Sequence, residues 1–429
     1  MTLISARDAA LKVLCEAEKS DVFASDLLSL LLKKYSIEPR EKALASTLIG
    51  GVMQNRIFID YQLAAHYDKS LEMLSAEVLN ILRIGAYQIL FLTKVPVYSA
   101  VDEAVKQAKR FKQASAAGLV NAVLRKISLY KDKPFMPKAD NKIKTLSVKY
   151  SIPAWLISVF MKNTDDPSKA AEGYATQPKI HLRVNTVKTT AEKLIEKLGF
   201  GETAFVKNAV TVDKFPNIAQ NEAYLSGLFH VQDLASQICS AAVDVKENMR
   251  VLDLCAAPGG KTFTMAEIMG NKGEIIACDV SRSRLDLIDS GAKRLGLDIV
   301  KTCVNDATLT NSDLGLFDRV LCDAPCSGFG VMRRKPEIRY KSQKEVASLP
   351  SIQYKILCEG ASHVKKGGRL IYSTCTFIPE ENEEITQKFL AEHQDFEAVP
   401  IFEGEKTHKT YYPHLDNTDG FFIAAFVKK

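Results

Sequence analysis

The sequence predicts a multidomain protein: an all-α N-terminal domain, a small α+β domain, and a C-terminal α/β domain with a mostly parallel sheet. Three observations predict this order. Apolar residues recur at helical spacing through the first 130 residues, strand and helix patterns mix over a short middle stretch, and strands alternate with helices from residue 249 onward. A chain of 429 residues is also long enough for two or three domains. We place the domains at residues 1–135, 145–240 and 241–429.

The N-terminal domain shows only helical periodicity. Its amphipathic segments are ARDAALKVLCEAEK, ASDLLSLLLKKY and SAEVLNILRIGAYQILFL. Breakers separate them, as in SIEP (residues 36–39) and VPV (residues 95–97). The pattern therefore predicts a compact helical bundle.

Positive charge is concentrated at the end of this domain and in the linker after it. Residues 101–150 contain twelve Lys or Arg and four Asp or Glu, a net charge of +8 (12 − 4), whereas the whole chain carries +6. The remainder is therefore about neutral. A basic segment of this kind fits nucleic acid or an anionic surface, and a solvated linker face is the alternative.

The middle region mixes both kinds of pattern. SIPAWLISVFMKN predicts a helix, with Ser151 as its cap and Pro153 in its first turn. KIHLRVNTV alternates as a strand does, TTAEKLIEKLGF is a helix closed by Gly199, and LSGLFHVQD is a second strand. These elements predict the small α+β domain.

The C-terminal domain predicts a doubly wound sheet. Helical segments separate its successive strand patterns, which are RVLDLCAAP, GEIIACDVS, DIVKTCVNDAT, DRVLCDAPC, RLIYSTCT and the final GFFIAAFVKK. In such sheets ligands bind at the carboxyl ends of the strands.

Several classes of protein are not favoured. The first residues lack the apolar core and cleavage site of a signal peptide, and no window of 18 or more apolar residues predicts a membrane span. The nine cysteines include no CxxC pair and no Cys/His cluster with zinc spacing, so nothing argues for a metal site. We expect free thiols in a reducing cytoplasm.

The turn after the first strand of this domain has the composition of a cofactor site. In DLCAAPGGKT, Gly259 and Gly260 let the backbone approach a ligand, and a helix N-terminus follows. Asp279 and Asp306 end the next two strands, where an acid binds ribose hydroxyls or adenine. The dinucleotide fingerprint GxGxxG is absent, so an adenosyl cofactor without phosphates fits better. The alternative is that these acids only cap helices or turns.

Two cysteines stand at strand ends in the motifs DAPCSG and YSTCT. Cys326 follows the fourth strand of the domain and Cys375 lies at the end of the fifth. Adjacent strands bring both to one pocket, where one of them is a candidate nucleophile. Their spacing does not rank them, and either alone is equally well explained as a buried structural thiol.

Together the motifs CAAPGGKT, DAPCSG and STCT resemble the RNA cytosine-5 methyltransferases of the Sun/Fmu (NOL/NOP/Sun) family. The resemblance covers nearly the whole chain. The helical region resembles the NusB-like RNA-binding domain of the RsmB branch, and RVNT (residues 183–186) lies in a unit similar to the small domain that precedes the catalytic one in this family.

The resemblance implies a Rossmann-like class I methyltransferase domain with S-adenosylmethionine as methyl donor. For the RsmB branch it also implies 16S ribosomal RNA as the substrate. We expect a cytoplasmic monomer that has neither DNA nor a membrane as a partner. The cofactor-binding residues implied are Cys255, Ala256, Ala257, Pro258, Gly259, Gly260, Lys261, Asp279, Asp306 and Asp323.

The same resemblance assigns the catalytic residues. Carbon 5 of cytosine is a poor nucleophile until a thiolate adds to C6. By likeness to the family, Cys375 is the nucleophile and Cys326 assists release, whereas the proline-cysteine motif of DNA cytosine methyltransferases would favour Cys326 as the nucleophile. Asp323 is the candidate for contacting N3 of the base, where a proton must be shared.

Basic residues directly after DAPCSG complete the predicted site, and we expect them to hold RNA phosphates unless they form a solvated turn: Arg333, Arg334, Lys335 and Arg339. Three other functions compete with this interpretation. They are a transfer-RNA cytosine-5 methyltransferase, an inactive RNA-binding assembly factor, and a DNA cytosine methyltransferase. Intact cysteine motifs disfavour the second, and the absence of a target-recognition insert disfavours the third.

Overall fold

A computed structural model of the protein describes residues 2–20, 22–138 and 140–429, with only the backbone of Thr2. These residues form two compact units. The first comprises the described residues up to Thr176 together with Met332–Tyr340, and the second comprises Gln177–Val331 and Lys341–Lys429. Residues 142–175 lie in the first unit, and residues 180–240 share the second unit with the large sheet. The predicted middle domain, residues 145–240, spans the boundary between these units, and the three-domain division stays a prediction.

The first unit is helical, as the N-terminal sequence predicts. Its described residues include two short strands, β1 (Thr2–Leu3) and β2 (Tyr35–Ser36), which pair in parallel. Its α-helices are α1 (Ala6–Ala17), α2 (Ala24–Leu32), α3 (Pro39–Gln54), α4 (Arg56–Ala64), α5 (Ala76–Phe91), α6 (Val97–Arg110), α7 (Ala117–Leu129), α8 (Lys142–Tyr150), α9 (Ala154–Asn163) and α10 (Pro167–Ala175). Buried aliphatic side chains of α1 and α3–α7 form its main core.

Ser151 does not cap α9 as the sequence predicts. It ends α8 with a left-handed backbone (φ 53°), and its side chain accepts a hydrogen bond from the Phe58 N–H at 2.9 Å. Helix α9 instead starts after Pro153, which makes no side-chain cap. The prediction was wrong because a Ser-x-Pro pattern does not show whether the serine starts the second helix or ends the first.

The segment Met332–Tyr340 belongs to the helical unit, although the residues on either side of it in the sequence belong to the second unit. The Arg339 guanidinium is fully buried and donates to the carbonyl oxygens of Gln54 at 2.9 Å and Ser151 at 3.1 Å. The Lys335 ammonium lies 4.0 Å from the centroid of the Phe23 ring. The expectation that Arg339 holds an RNA phosphate is therefore wrong, because its donors point into the protein.

The second unit contains a small antiparallel sheet of strand order β4-β5-β3-β6. Two helices accompany it, and its core is built from residues such as Leu182, Leu194 and Phe229. Its elements are β3 (Ile180–Val184), α11 (Ala191–Leu198), β4 (Glu202–Thr203), β5 (Ala209–Val212), α12 (Glu222–Leu225) and β6 (Phe229–Val231).

A large sheet dominates the second unit and confirms the predicted α/β fold. Its strands are β7 (Arg250–Asp253), β8 (Glu274–Asp279), β9 (Val300–Val304), β10 (Phe317–Asp323), β11 (Val364–Thr374), β12 (Phe396–Ala398), β13 (His408–Tyr411) and β14 (Phe421–Lys428). The order is β12-β14-β11-β10-β7-β8-β9, with β13 also on β14. Strands β7–β11 pair in parallel, whereas β14 is antiparallel to β11.

Helices connect these strands and cover the sheet, because apolar residues of parallel strands need both faces shielded from water. They are α13 (Leu234–Ala242), α14 (Gly260–Ile268), α15 (Arg282–Leu295), α16 (Gln343–Val346), α17 (Leu349–Ser362), α18 (Glu383–Glu392) and α19 (Pro413–Asp416). Throughout the described part of the chain, no helix has both the length and the apolar character required to cross a membrane.

Candidate active site

The parallel strands bring the predicted site residues to one edge of the large sheet. Strand β10 pairs with β11 through Asp323 and Ser373, and with β7 through Leu321 and Asp253. The carboxyl ends of these strands therefore end side by side. This edge therefore carries the glycine turn, the acidic strand ends and both cysteine motifs.

A tight turn links β7 to α14. Gly259 has φ +107°, and a Cβ there would lie 2.5 Å from the Phe263 ring, so the turn requires glycine. A Cβ on Gly260 would meet nothing closer than 3.6 Å. Helix α14 begins at Gly260 and directs its N-terminal N–H groups to the strand edge. The predicted residues from Cys255 to Lys261 form this turn, and burial raises the pKa of the Cys255 thiol.

Arg284 holds the turn against the end of β8. Its guanidinium donates to the Ala257 carbonyl oxygen at 2.9 Å and pairs with the Asp279 carboxylate at 2.9 Å. The other Asp279 oxygen accepts from the Ser281 N–H at 2.9 Å. Asp279 is buried, so its carboxylate keeps one orientation. The sequence did not single out Arg284.

Asp306 lies at the end of β9 and is exposed. One of its oxygens accepts from the Thr308 N–H and hydroxyl, and these hydrogen bonds lower the pKa of the carboxyl. In this structure Asp306 thus shapes a turn, as the alternative interpretation of the strand-end acids predicts.

A further acid, Asp253, lies at the end of β7 and was not predicted as a site residue. Its side chain is buried, and burial raises the pKa of the carboxyl to about 7. Thr262 donates to one oxygen at 2.7 Å, while Oδ1 has no hydrogen-bond partner among the described residues. Asp253 is the first residue of the motif DLCAAPGGKT. An acid at a strand end before a glycine turn is the sequence signal that could have identified it.

Lys261 and Asp323 form an ion pair beside the cysteines. Their Nζ and Oδ2 atoms are 2.6 Å apart, and the other Asp323 oxygen accepts from the Ser373 hydroxyl at 2.8 Å. Burial alone would lower the pKa of the Lys261 ammonium, but the Asp323 carboxylate and the nearby Cys239 and Cys375 together outweigh burial and raise the pKa. A fixed acid and a charged amine therefore stand together at the end of β10.

The two cysteines are in direct contact. The Sγ atoms of Cys326 and Cys375 are 3.0 Å apart, and the Cys375 N–H donates to the Cys326 sulfur at 3.2 Å. The hydrogen bond from Cys326 lowers the pKa of the Cys375 thiol, and the same hydrogen bond, with burial, raises the pKa of Cys326. Either sulfur can donate in this contact, and the pKa directions favour Cys375 as the thiolate with Cys326 as its donor.

Comparisons with known proteins agree with this architecture. A family model described as "16S rRNA methyltransferase RsmB/F" matches residues 240–427, and one described as "NusB family" matches residues 4–129. The probable ribosomal RNA small subunit methyltransferase B of Bacillus subtilis (strain 168) is 35% identical over 100% of both chains. Its counterpart from Proteus mirabilis (strain HI4320) is 30% identical over 100% of both chains. The crystal structure of PH0851 matches with a TM-score of 0.82 and 27% identity, over 99% of this chain and 98% of that one.

A parallel sheet with a glycine-turn cofactor site, carried on a chain that also has a NusB domain, defines an S-adenosylmethionine-dependent RNA methyltransferase. The relatives that match from end to end make the assignment more specific. The chain belongs to the RsmB/F family of 16S rRNA methyltransferases. The family resemblance, the fold class and the cofactor predicted from the motifs are confirmed.

The residues present fit S-adenosylmethionine. The turn offers main-chain N–H groups at a helix N-terminus, without a Cβ at Gly259 or Gly260, and the buried Asp279 carboxylate can accept from hydroxyl groups. The one lysine of the turn, Lys261, is already paired with Asp323. This set of donors and acceptors suits an adenosyl group that carries no phosphate.

Proposed function

We propose that the protein transfers a methyl group to C5 of a cytosine in 16S ribosomal RNA through a covalent bond between Cys375 and C6 of the base. The observation that supports this most directly is the 3.0 Å contact between the two thiols, together with the lowered pKa of Cys375 that the hydrogen bond with Cys326 produces. Such a pair suits one sulfur that attacks and another that stabilises it as it leaves.

In this proposal the first step is addition. The Cys375 thiolate forms a bond to C6, and N3 of the ring takes up a proton. Asp323 is the group we assign to N3, as the acid that shares the proton there, and the Lys261 ammonium 2.6 Å from its Oδ2 keeps it in place. The addition makes C5 enamine-like and hence nucleophilic.

Methylation and release follow. S-adenosylmethionine supplies the methyl group when it is bound, and the residues that we propose to hold it are the turn from Cys255 to Lys261 with Asp279, Asp306 and Asp323. C5 accepts the methyl group, and N3 returns its proton. A water molecule then takes the C5 proton, and the electron pair of the C5–H bond forms the C5–C6 double bond. The C6–S bond breaks and returns its pair to Cys375 as a thiolate, which in this proposal accepts a hydrogen bond from Cys326.

The target base must leave its stack to reach this edge of the sheet, or be unpaired already. The relatives named ribosomal RNA small subunit methyltransferase B support 16S ribosomal RNA as the substrate. The NusB domain supports the same substrate, because it is the feature of the sequence that separates this branch from transfer-RNA enzymes of similar catalytic sequence.

The test uses labelled S-adenosylmethionine and protein-free 16S RNA from a strain that lacks the enzyme. The wild type should yield labelled 5-methylcytosine, Cys375→Ala should yield none, and Cys326→Ala should accumulate an RNA–protein adduct. Cys358→Ala, a thiol of α17 that contacts His393, is the matched control and should behave as the wild type. Adduct formation by Cys375→Ala would reverse the two roles, and label in transfer RNA alone would contradict the substrate.

A further inference from the structure

The main chain on both sides of Cys326 is held by two buried side chains from distant parts of the sequence. The Gln353 amide donates to the Pro325 carbonyl oxygen at 3.0 Å and to the Glu381 carboxylate at 2.8 Å. The same Glu381 oxygen accepts from the Ser327 N–H at 2.9 Å. The residues before and after Cys326 are thus fixed through a single carboxylate oxygen.

Ser327 extends this network toward the second cysteine. Its hydroxyl donates to the Thr376 hydroxyl at 2.8 Å, and its carbonyl oxygen accepts from the Lys341 ammonium at 3.0 Å. Ser327 and Thr376 are the residues that directly follow Cys326 and Cys375. The two cysteine loops are therefore tied together one residue beyond each sulfur, which sets the distance between the thiols.

Burial makes the role of Glu381 hard to explain by stability alone. Its side chain is 1% exposed, and Gln353, Ser327 and Thr376 are 0% exposed. A buried carboxylate is unfavourable unless hydrogen bonds compensate it, and Oε1 of Glu381 has no such partner among the residues that the structure describes. Tyr372 fixes the backbone at the same point, by donating to the Glu381 carbonyl oxygen at 2.6 Å.

We propose that Glu381 and Gln353 are positioning residues that hold Cys326 against Cys375 and so set the rate at which methylated RNA is released. This inference rests on the proposed function, in which Cys326 acts at release. Hydrogen bonds between sulfur atoms are weak and directional, so a small shift of the Cys326 loop removes the donor from the leaving thiolate. Addition of Cys375 to the base needs no contact with Glu381, so adduct still forms without it, although more slowly because Cys375 loses its hydrogen-bond donor.

The experiment compares Glu381→Ala and Gln353→Ala with the wild type in three assays: turnover, the amount of denaturation-resistant RNA–protein adduct, and equilibrium binding of S-adenosylmethionine. We expect turnover to fall about tenfold to 100-fold, since a displacement of about 1 Å has that effect on catalysis. Adduct should accumulate, because release is slowed more than addition, while cofactor affinity stays within about twofold of wild type.

Two further variants separate positioning from folding. Glu381→Gln keeps an oxygen that accepts from both Ser327 and Gln353, so it should restore turnover and abolish the accumulation. Glu380→Ala changes the exposed neighbouring residue and should match the wild type. A merely structural role would lower cofactor binding, adduct formation and turnover together, and that pattern would overturn the proposal.

Cys326→Ala in the same assays distinguishes failure of this inference from failure of the proposed function. If Cys326→Ala accumulates adduct and Glu381→Ala does not, the positioning role is wrong and the proposed function stands. If neither accumulates adduct, Cys326 does not act at release and both are wrong. Accumulation in both, reversed in Glu381→Gln, supports the positioning role.

Discussion

Cys326 and Cys375 differ in acidity although both are thiols of the same pocket. The hydrogen bond from Cys326 lowers the pKa of Cys375, so Cys375 should react with iodoacetamide at a lower pH than an ordinary cysteine. Replacing Cys326 by Ala removes that donor and should move the reaction midpoint of Cys375 to higher pH. Mass spectrometry of alkylated peptides over a pH series measures this. An unchanged midpoint in Cys326→Ala would show that Cys326 does not stabilise the thiolate.

Asp253 is the residue whose ionisation should be visible in stability. Burial raises its pKa from 3.8 to about 7, so its contribution is complete below pH 4 and is lost as the pH rises to 7. The corresponding change in the free energy of unfolding is roughly 4 kcal/mol at most. The Tm of the wild type should therefore fall more between pH 4 and 7 than that of Asp253→Asn. Parallel Tm curves for the two proteins would contradict a buried, protonated Asp253.

The β7–α14 turn is an element whose geometry depends on glycine. A methyl group on Gly259 would meet the Phe263 ring at a backbone angle that other residues rarely adopt. We expect Gly259→Ala to lower the Tm and to weaken S-adenosylmethionine binding about tenfold or more, since each 1.4 kcal/mol of distortion corresponds to a factor of ten. Gly260→Ala has room for its Cβ and should keep the wild-type Tm. Equal Tm values for the two variants would contradict this account of the turn.

At the scale of elements, the sequence predicts the sheet and the position of its ligand-binding edge. Alternation of strand and helix patterns indicates parallel strands, and parallel strands place Cys326 and Cys375 at one edge. The pattern does not predict that β14, the last strand, pairs with β11 in the antiparallel sense, because an apolar run carries no direction. The 3.0 Å contact between the sulfurs depends on loop conformation, which periodicity does not encode.

The sequence does not predict contacts between residues that lie far apart in the chain. Glu381 lies 54 positions after Ser327 in the sequence and Gln353 lies 26 positions after it, yet both contact the DAPCSG loop. Neither belongs to a recognisable motif. Arg339 was predicted at an RNA-facing surface because it follows three other basic residues in the sequence. The structure buries it in the helical unit, since local charge pattern does not reveal which side chain satisfies buried carbonyl groups.

At the scale of the whole molecule, the distribution of charge predicts which surface of the protein binds RNA. The net charge is +6, and residues 101–150 alone carry +8 (12 − 4). Arg125 and Lys126 are exposed neighbours on α7 and are suited to contact phosphates. If they do, RNA affinity must fall with salt as counterions are released, and the slope must reflect the number of phosphates neutralised.

Replacing both residues by Gln tests this directly. The slope of log affinity against log salt should become shallower by about 1.4 to 1.8, which is the contribution of two phosphate contacts. Affinity for unrelated RNA should fall in the same proportion, because phosphate contacts carry no sequence information. The matched control replaces two exposed lysines of the second unit, Lys246 and Lys406, and should leave the slope unchanged. Equal slopes for both double variants would place the RNA-binding surface away from α7 and make the basic segment a solvated face of the helical unit.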